Sequence, residues 1–257
     1  SVVCHVGATL KLVDCAPGRF HLDYDALEQA VTEKTKAIIP VDIAGVMVDY
    51  DRIRALAERK KALFHPASPL QEALGRILIL ADSAHGFGAK RNGKMSGECA
   101  DFTSFSFHAV KNFTTAEGGG LVWRPVPGVD DEEIYHNLML LTLHGQSKDA
   151  LAKTKLGAWE YDIKGPYYKC NMTDILAAVG LVQQKRYKSL LARRKEIIER
   201  YDEWIKDDDI MTLKHFDGGN ISSGHLYLVR VLPYDEEKRN SLITAMAEAG
   251  IATNVHY

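Results

Sequence analysis

Two short apolar runs in this 257-residue chain are each followed by polar residues that can do chemistry. Residues 77–81 lead into Asp82, and residues 101–107 lead into His108, with Lys111 three residues further on. A short apolar run bounded by turn residues indicates a buried strand. In open α/β sheets, ligands bind beyond the carboxyl ends of the strands. The spacing therefore predicts that these three polar side chains lie at a ligand-binding edge.

Lys111 and Asp82 suit two complementary jobs. Burial disfavours the charged form of a lysine, and a neutral amine can form a Schiff base with an aldehyde. A carboxylate nearby can pair with a protonated pyridine nitrogen, which is how proteins hold pyridoxal phosphate (PLP). A lysine after a strand is far more often a solvated surface residue, however, so the spacing alone leaves both interpretations open.

Three stretches of the chain carry a family resemblance. They read ADSAHGFGA from Ala81, SFSFHAVKNFTTAEGGG from Ser104 and YYKCNMTDILAAVGLVQQKR from Tyr167. With them, essentially the whole chain resembles the DegT/StrS-like family of PLP-dependent sugar aminotransferases of fold type I. The resemblance implies an α/β fold with a mostly parallel central sheet flanked by helices, plus a smaller α+β carboxyl-terminal domain.

The resemblance also implies how the chain is divided. Residues 1–125 would belong to the large PLP-binding domain, residues 126–190 would form connecting helices and a segment that contacts the dimer partner and the cofactor, and residues 191–257 would belong to the small domain. Members of the family extend beyond both ends of this sequence. A fragment, a chain with further residues before the first, and one half of a split enzyme remain open alternatives.

The resemblance implies roles for five residues. Lys111 would hold PLP as a Schiff base, and Asp82 would pair with the pyridinium nitrogen. His85 would lie near the cofactor ring and its phenolic oxygen, and Ser106 would bind the phosphate. Asn171 would reach the phosphate from the neighbouring subunit, which implies a homodimer with shared active sites.

Three of these residues have simpler structural interpretations. His85 could be a hydrogen-bonded histidine at a strand end, Ser106 a strand serine facing a helix, and Asn171 part of the cap of the next helix. The motif favours function for His85 and Ser106. For Asn171 the two interpretations are balanced, because Thr173 and Asp174 are equally good helix starters.

Two further histidines are candidates for contact with the substrate. His108 follows its strand directly, although orienting the turn is an equal alternative. His256 matches a histidine that lies near the substrate in some members of the family.

The resemblance implies transfer of an amino group, expected to come from glutamate, to a keto carbon of a nucleotide-linked deoxysugar. The stretch HGQSKDA, residues 144–150, most resembles members that act on 4-keto-6-deoxy sugars. Dehydrating relatives replace the lysine with histidine, so Lys111 argues against that reaction. The alternative is a PLP-binding but catalytically idle or regulatory homologue, because the Gly-Thr phosphate turn of the family is not visible in this sequence.

The composition of the chain argues against several classes of binding partner and cellular location. The formal charge of −2 does not indicate nucleic acid or a charged membrane surface. The four cysteines are scattered without a CxxC pair or metal-ligand spacing, which predicts free thiols in a reducing compartment and no metal site. No apolar run approaches the roughly 20 residues of a membrane span, and no charged-then-apolar leader opens the sequence. The predicted location is the cytoplasm.

Alternating strands and helices are expected to position the candidate residues, as in a parallel sheet. The first 15 residues predict two strands separated by a turn at Gly7, and a helix over 25–32 with Asp23 or Asp25 as its cap precedes a buried strand over 37–41. The further predicted elements are a helix in residues 49–64, a strand at 121–123, a helix in residues 130–146 with acids in its first turn, a long helix from Thr173, a strand in residues 225–232, and a helix ending at Gly250.

Overall fold

A computed structural model of the protein describes residues 2–148 and 160–256. The helices are α1 (Val2–His5), α2 (Tyr24–Ala30), α3 (Tyr50–Arg59), α4 (Pro69–Leu74), α5 (Asp131–Thr142), α6 (Asp174–Trp204) and α7 (Glu236–Glu248). The strands are β1 (Ala37–Ile38), β2 (Leu78–Asp82), β3 (Lys90–Arg91), β4 (Lys94–Met95), β5 (Phe102–Ser106), β6 (Gly119–Trp123), β7 (Ile210–Thr212), β8 (Asn220–Ile221) and β9 (Val229–Val231). The last two residues of the HGQSKDA stretch lie outside the described residues.

The central sheet has the strand order β1-β2-β5-β6. β1, β2 and β5 run parallel, and β6 pairs antiparallel with β5 at the edge. Two smaller sheets have the orders β4-β3-β8 and β7-β9. The mostly parallel sheet with flanking helices confirms the predicted fold class.

Residues from β2 and α3 meet in the main core. Ile79 on β2 and Ile53 on α3 are both 0% exposed. The α3 helix begins after Asp49, whose carboxylate accepts the Arg52 amide at 3.0 Å, as an N-cap does. Burying each large aliphatic side chain contributes about 1.5–3 kcal/mol, so this contact fixes the position of β2 and of the polar residues beyond it.

Most predicted helices are confirmed, and their caps follow from the sequence. Asp23 caps α2, Asp130 caps α5 and Thr173 caps α6, each by accepting a backbone N–H in the first turn. The α7 helix ends shortly before Gly250, whose φ of +80° is a left-handed conformation that glycine adopts readily.

Of three strand predictions near the amino end, two are wrong and one is too long. Residues 2–5 form α1, and residues 8–14 form no strand, because within the described residues no neighbouring strand pairs with them. Leu12, within the second predicted strand, is 80% exposed. The strand predicted over 37–41 ends at Ile38, because Pro40 has no N–H for the ladder, and Val41 forms only an isolated bridge with Asp82.

A buried ion pair joins the start of β2 to the start of β5. Arg76 donates two hydrogen bonds of 2.7 Å to the Asp101 carboxylate, which also accepts the Ile79 amide at 2.9 Å. Burial acts to raise the pKa of Asp101, but the hydrogen bonds from Arg76 and Ile79 outweigh it and hold that pKa below its ordinary value. The pair therefore stabilises the protein at neutral pH, and this contribution is lost as the pH falls through the lowered pKa.

Replacing Arg76 with methionine is expected to lower the free energy of unfolding by about 3 kcal/mol, because Asp101 would stay buried without its main partner. Breaking a buried ion pair usually costs about 3–5 kcal/mol. The loss falls at the low end of that range because Arg54 still lies 3.2 Å from Asp101. Urea denaturation at pH 7 measures it. Arg59→Met is the control, because that exposed arginine pairs with Glu28 at the surface and should cost well under about 1 kcal/mol. Equal losses in the two variants would contradict the prediction.

Among the described residues, no helix is both long and apolar enough to cross a membrane.

Candidate active site

The carboxyl ends of β2 and β5 lie side by side, because the two strands are neighbours and run parallel. Asp82 is the last residue of β2, and Ser106 is the last residue of β5. Lys111 follows in a turn that is closed by a hydrogen bond of 2.9 Å from its amide to the His108 carbonyl. The predicted acid, hydroxyl and amine therefore all come from one edge of the sheet.

The two residues after Lys111 anchor its turn. Asn112 is buried and donates its amide hydrogen to the Ser223 carbonyl at 2.7 Å. Phe113 is also buried, and its ring packs against Phe87 and Tyr187 with centroid distances of 4.9 and 5.4 Å. These contacts fix the backbone that carries the lysine, while the Lys111 side chain itself is half-buried.

His85 lies beyond the end of β2 and is held in one tautomer. Its Nδ1 accepts the Ala44 amide at 3.2 Å. A backbone N–H can only donate, so the hydrogen of the neutral ring must sit on Nε2. Burial, assisted by the positive charge of Lys111 and by His256, lowers the pKa of His85 to about 4. The ring is therefore neutral near pH 7 and presents an Nε2–H donor.

The backbone beside His85 has an uncommon geometry. Ala44 is fully buried with a φ of +57°, a left-handed conformation that costs an L-residue about 1–2 kcal/mol. Gly45 follows with a φ of +90°, and a Cβ there would lie 2.0 Å from the Ser223 hydroxyl. Only glycine fits at residue 45, because the chain around Ser223 packs directly against it.

His225 belongs to the same cluster, although no pattern in the sequence identified it. Its ring lies 4.3 Å from that of His85, and the ring of His256 lies 5.5 Å from His85 on the same site. Burial, with help from His85 and Lys111, lowers the pKa of His225 to about 3. The sequence predicted a strand over 225–232, but β9 begins only at Val229. The sequence feature that could have indicated His225 as a site residue is its position as a polar residue at the start of an apolar run.

A second buried acid, also missed, supports the end of β2. Asp42 is 1% exposed, and its carboxylate accepts hydrogen bonds from Ser83 at 2.6 Å, Tyr50 at 2.9 Å and the Val48 amide at 3.1 Å. Burial raises the pKa of Asp42 to about 6 against these hydrogen bonds, and the nearby charge of Asp82 raises it further. Asp42 thus lies behind Asp82 as a structural acid.

The other predicted residues have different surroundings. The Ser106 hydroxyl accepts the His108 amide at 3.4 Å, and the His108 ring lies 3.4 Å from the Glu117 carboxylate on the exposed side of the turn. Asn171 contacts Lys169 and the Met172 carbonyl, and it is not the cap of α6, because Thr173 fills that role. The structure therefore brings His85 and His256 together near Lys111. The backbone of His108 bonds to Ser106 and Lys111, but its ring lies against Glu117, and Asn171 contacts none of these described residues within its own chain.

The groups at this edge match the chemistry of PLP. In a PLP site, Asp82 would supply a carboxylate for the ring nitrogen, His85 a donor for the ring oxygen, Ser106 a hydroxyl for the phosphate and Lys111 an amine for the aldehyde. No group of three or more ligating side chains in the described residues could hold a metal ion. A cavity of about 450 Å³ beside Arg19, His21 and Arg91 lies in a different part of the fold and contains none of these residues.

The histidine cluster predicts how stability depends on pH. An unfolded chain binds protons on these imidazoles below about 6.5, whereas the folded chain keeps His85 and His225 neutral down to their lowered pKa values of about 4 and 3. The free energy of unfolding should therefore fall as the pH drops from about 6.5 towards 4.

Urea denaturation at pH 7 and pH 5 measures this loss. Buried His215 acts in the same direction, because its pKa is also lowered to about 4, so the informative comparison is with a variant. His225→Gln should lose less stability between the two pH values than the wild type. An unchanged difference would show that His225 is not kept neutral by the fold.

Comparison with known proteins gives a consistent set of relatives. A sequence model of the DegT/DnrJ/EryC1/StrS aminotransferase family matches residues 1–257. The spore coat polysaccharide biosynthesis protein SpsC of Bacillus subtilis is 36% identical over 265 aligned residues, covering 100% of this chain and 61% of SpsC. The chain therefore spans about three-fifths of the length of the curated relatives that it matches.

Solved structures show the same similarity. Spr1654 of Streptococcus pneumoniae, assigned as a sugar aminotransferase, is 55% identical in its PMP form with a TM-score of 0.95, covering 100% of this chain and 64% of the other. Its PLP form is 53% identical, with a TM-score of 0.93 and coverage of 100% and 63%. PseC of Helicobacter pylori, an aminotransferase involved in the biosynthesis of pseudoaminic acid, is 26% identical with a TM-score of 0.77, covering 99% and 61%.

Proposed function

Because the chain belongs to the DegT/DnrJ/EryC1/StrS aminotransferase family, we propose that it acts as a PLP-dependent sugar aminotransferase. The amino group would pass from glutamate to a keto carbon of a nucleotide-linked sugar, with a 4-keto-6-deoxy sugar as the acceptor. The observation that carries the proposal is the convergence of Asp82, His85 and Lys111 at one sheet edge. The relatives named for polysaccharide and pseudoaminic acid biosynthesis support a sugar substrate.

Each residue would have a distinct task. When bound, PLP supplies a ring that accepts electrons from the carbon that loses its proton. Lys111 would bind the cofactor covalently through Nζ and, once released, move a proton to and from the substrate carbon. Asp82 would keep a proton on the ring nitrogen, His85 would donate its Nε2–H to the ring oxygen, and Ser106 would orient the phosphate.

An absorbance spectrum tests the proposal directly. The purified chain is mixed with PLP, and spectra are recorded before and after glutamate is added. We expect a visible band that glutamate removes, after which a nucleotide-linked keto sugar restores it. Borohydride added before glutamate should fix the cofactor to Lys111, as mass spectrometry would detect. A band that every amino donor leaves unchanged would instead support an idle or regulatory homologue.

We further propose a homodimer in which Asn171 contributes to the site of the neighbouring subunit. Its side chain has no described contact with His85 or Lys111 of its own chain. The α6 helix begins nearby and exposes Ile175, Val179 and Val182 on one face, at 79, 39 and 56%. Apolar side chains at this level of exposure are consistent with a covered interface.

Mixing two inactive variants tests the shared site. A heterodimer of Lys111→Ala and Asn171→Ala chains would contain one site with both residues intact, so a random mixture should regain about a quarter of the wild-type sites at limiting PLP. Neither variant alone should show this activity. A wild-type chain that sediments as a monomer with full affinity for PLP would contradict the proposal.

A further inference from the structure

A segment from the carboxyl-terminal part of the chain lies across the site. We call residues 222–225 the strap. Its Ser223 amide donates to the Gly45 carbonyl at 3.1 Å, and its His225 amide donates to the Ala44 carbonyl at 2.9 Å. The Ser223 hydroxyl also donates to the His85 carbonyl. The strap is therefore attached by backbone and side-chain bonds to the same short segment that orients His85.

The strap also fixes the orientation of Asn112. The Ser223 carbonyl can only accept, so the Asn112 group that lies 2.7 Å from it must be the amide nitrogen. The Asn112 oxygen is consequently the atom that lies 2.9 Å from Nδ1 of His225. An amide oxygen can only accept, so His225 must carry its hydrogen on Nδ1, and its Nε2 has a lone pair.

The two neighbouring imidazoles are therefore opposite tautomers, with the hydrogen on Nε2 in one ring and on Nδ1 in the other. His85 accepts at Nδ1 from Ala44 and presents an Nε2–H, whereas His225 donates at Nδ1 to Asn112 and presents a bare Nε2. Their ring centroids are 4.3 Å apart. Lys111 directly precedes Asn112, which bonds to both His225 and the strap, so the lysine turn is attached beside the two rings. The charge of Lys111 also contributes to lowering the pKa of each ring.

We propose that His225 is a positioning residue for Lys111, whose Nζ would donate a hydrogen bond to the Nε2 lone pair that the bond between Nδ1 and Asn112, the residue after Lys111, leaves available. This inference rests on the proposed function, because it concerns the lysine once its amine is free. An acceptor beside that amine would hold Nζ near the reacting carbon while the proton moves. With a pKa of about 3, His225 accepts this hydrogen bond without taking the proton.

The tautomers can be tested in the cofactor-free protein. Histidines labelled with ¹⁵N report which ring nitrogen carries the hydrogen, and His225→Gln and His85→Gln each remove one set of signals and so assign it. At pH 7 we expect the hydrogen on Nδ1 of His225 and on Nε2 of His85. A hydrogen on Nε2 of His225 would overturn the proposal.

Two substitutions of His225 distinguish its proposed role as a hydrogen-bond acceptor for Lys111 from its role in holding the strap through Asn112. A glutamine side chain places an amide oxygen near the position of Nε2, whereas an asparagine reaches only the position of Nδ1. We expect His225→Asn to slow covalent capture of PLP by Lys111 about tenfold and His225→Gln to slow it less than about threefold. Absorbance and borohydride trapping with mass spectrometry measure capture, and His65→Gln on an exposed loop is the control.

The outcomes distinguish this inference from the proposed function. Equal losses in the two His225 variants, or a greater loss in the glutamine variant, would show that His225 only tethers the strap. If the wild type captures PLP but no amino donor reacts, the proposed function fails while the order of capture rates still decides the role of His225. If a variant does not fold, the tautomers of the wild-type protein still decide.

Discussion

Replacing Lys111 with alanine is expected to abolish covalent retention of PLP and to slow amino transfer from glutamate by at least about 10³-fold. The loss combines two proposed roles, because the same Nζ would bind the cofactor and then move the proton, and a positioned acid or base alone contributes about 10²–10⁴-fold. The fold should be preserved, because the turn is anchored by Asn112 and Phe113 rather than by the lysine. Borohydride trapping and stopped-flow absorbance measure the two losses.

Two further variants make this result specific. Lys111→Arg keeps a positive charge but removes the amine, because a guanidinium is not deprotonated in proteins, so it should be as inactive as the alanine variant. Lys185→Ala, on the exposed surface of α6, is the control and should retain wild-type trapping. Amino transfer by Lys111→Ala at the wild-type rate would refute the proposed mechanism.

The part of the site that the sequence could predict is the part built from local segments. Asp82 follows one apolar run and Lys111 lies shortly after the second, so the strand pattern alone places both at one sheet edge, whereas Ser106 was predicted from the family resemblance. The helix caps at Asp23, Asp130 and Thr173 were predictable for the same reason, since a cap bonds to its own first turn. The roles of the site residues stay predictions, as do the domain boundaries and the cytoplasmic location.

The part of the site that the sequence could not predict depends on contacts between distant segments. His225 and Asn112 are separated by 113 positions, and His85 and Ala44 by 41, so no local pattern connects them. Strand predictions are wrong for a related reason. Residues 8–14 have a strand-like pattern, but in the described structure they have no strand to pair with. Hydrophobic pattern decides which faces are buried, whereas pairing partners and tautomers are decided by the tertiary arrangement.

These distant contacts explain why the site needs the carboxyl-terminal part of the chain. Ser223 and His225 bond to Ala44, Gly45 and Asn112, which in turn orient His85 and the Lys111 turn. Loss of the strap would therefore disturb both His85 and the Lys111 turn, although the central sheet that carries Asp82 would remain. Asp82 can accordingly be tested with little risk that other site residues move.

Replacing Asp82 with asparagine is expected to lower kcat/KM for amino transfer by between about 10² and 10³-fold, comparable to the loss of one group aimed at developing charge. An amide cannot hold the proton on the ring nitrogen by charge, so the ring accepts electrons less well. The substitution keeps the shape of the side chain, and its oxygen can still accept the Ala84 amide at 3.2 Å. PLP should still be trapped on Lys111, which separates this loss from the loss in Lys111→Ala.

A second carboxylate provides the matched control. Asp42→Asn removes an acid that accepts bonds from Ser83, Tyr50 and Val48, so it should reduce stability rather than the rate of amino transfer. Asp82→Asn should lower the rate of amino transfer without lowering stability, because removing its charge relieves the repulsion that raises the pKa of Asp42. Urea denaturation and steady-state kinetics on both variants measure this reciprocal pattern. If Asp82→Asn retained kcat/KM within about tenfold of the wild type, Asp82 would not be the partner of the ring nitrogen.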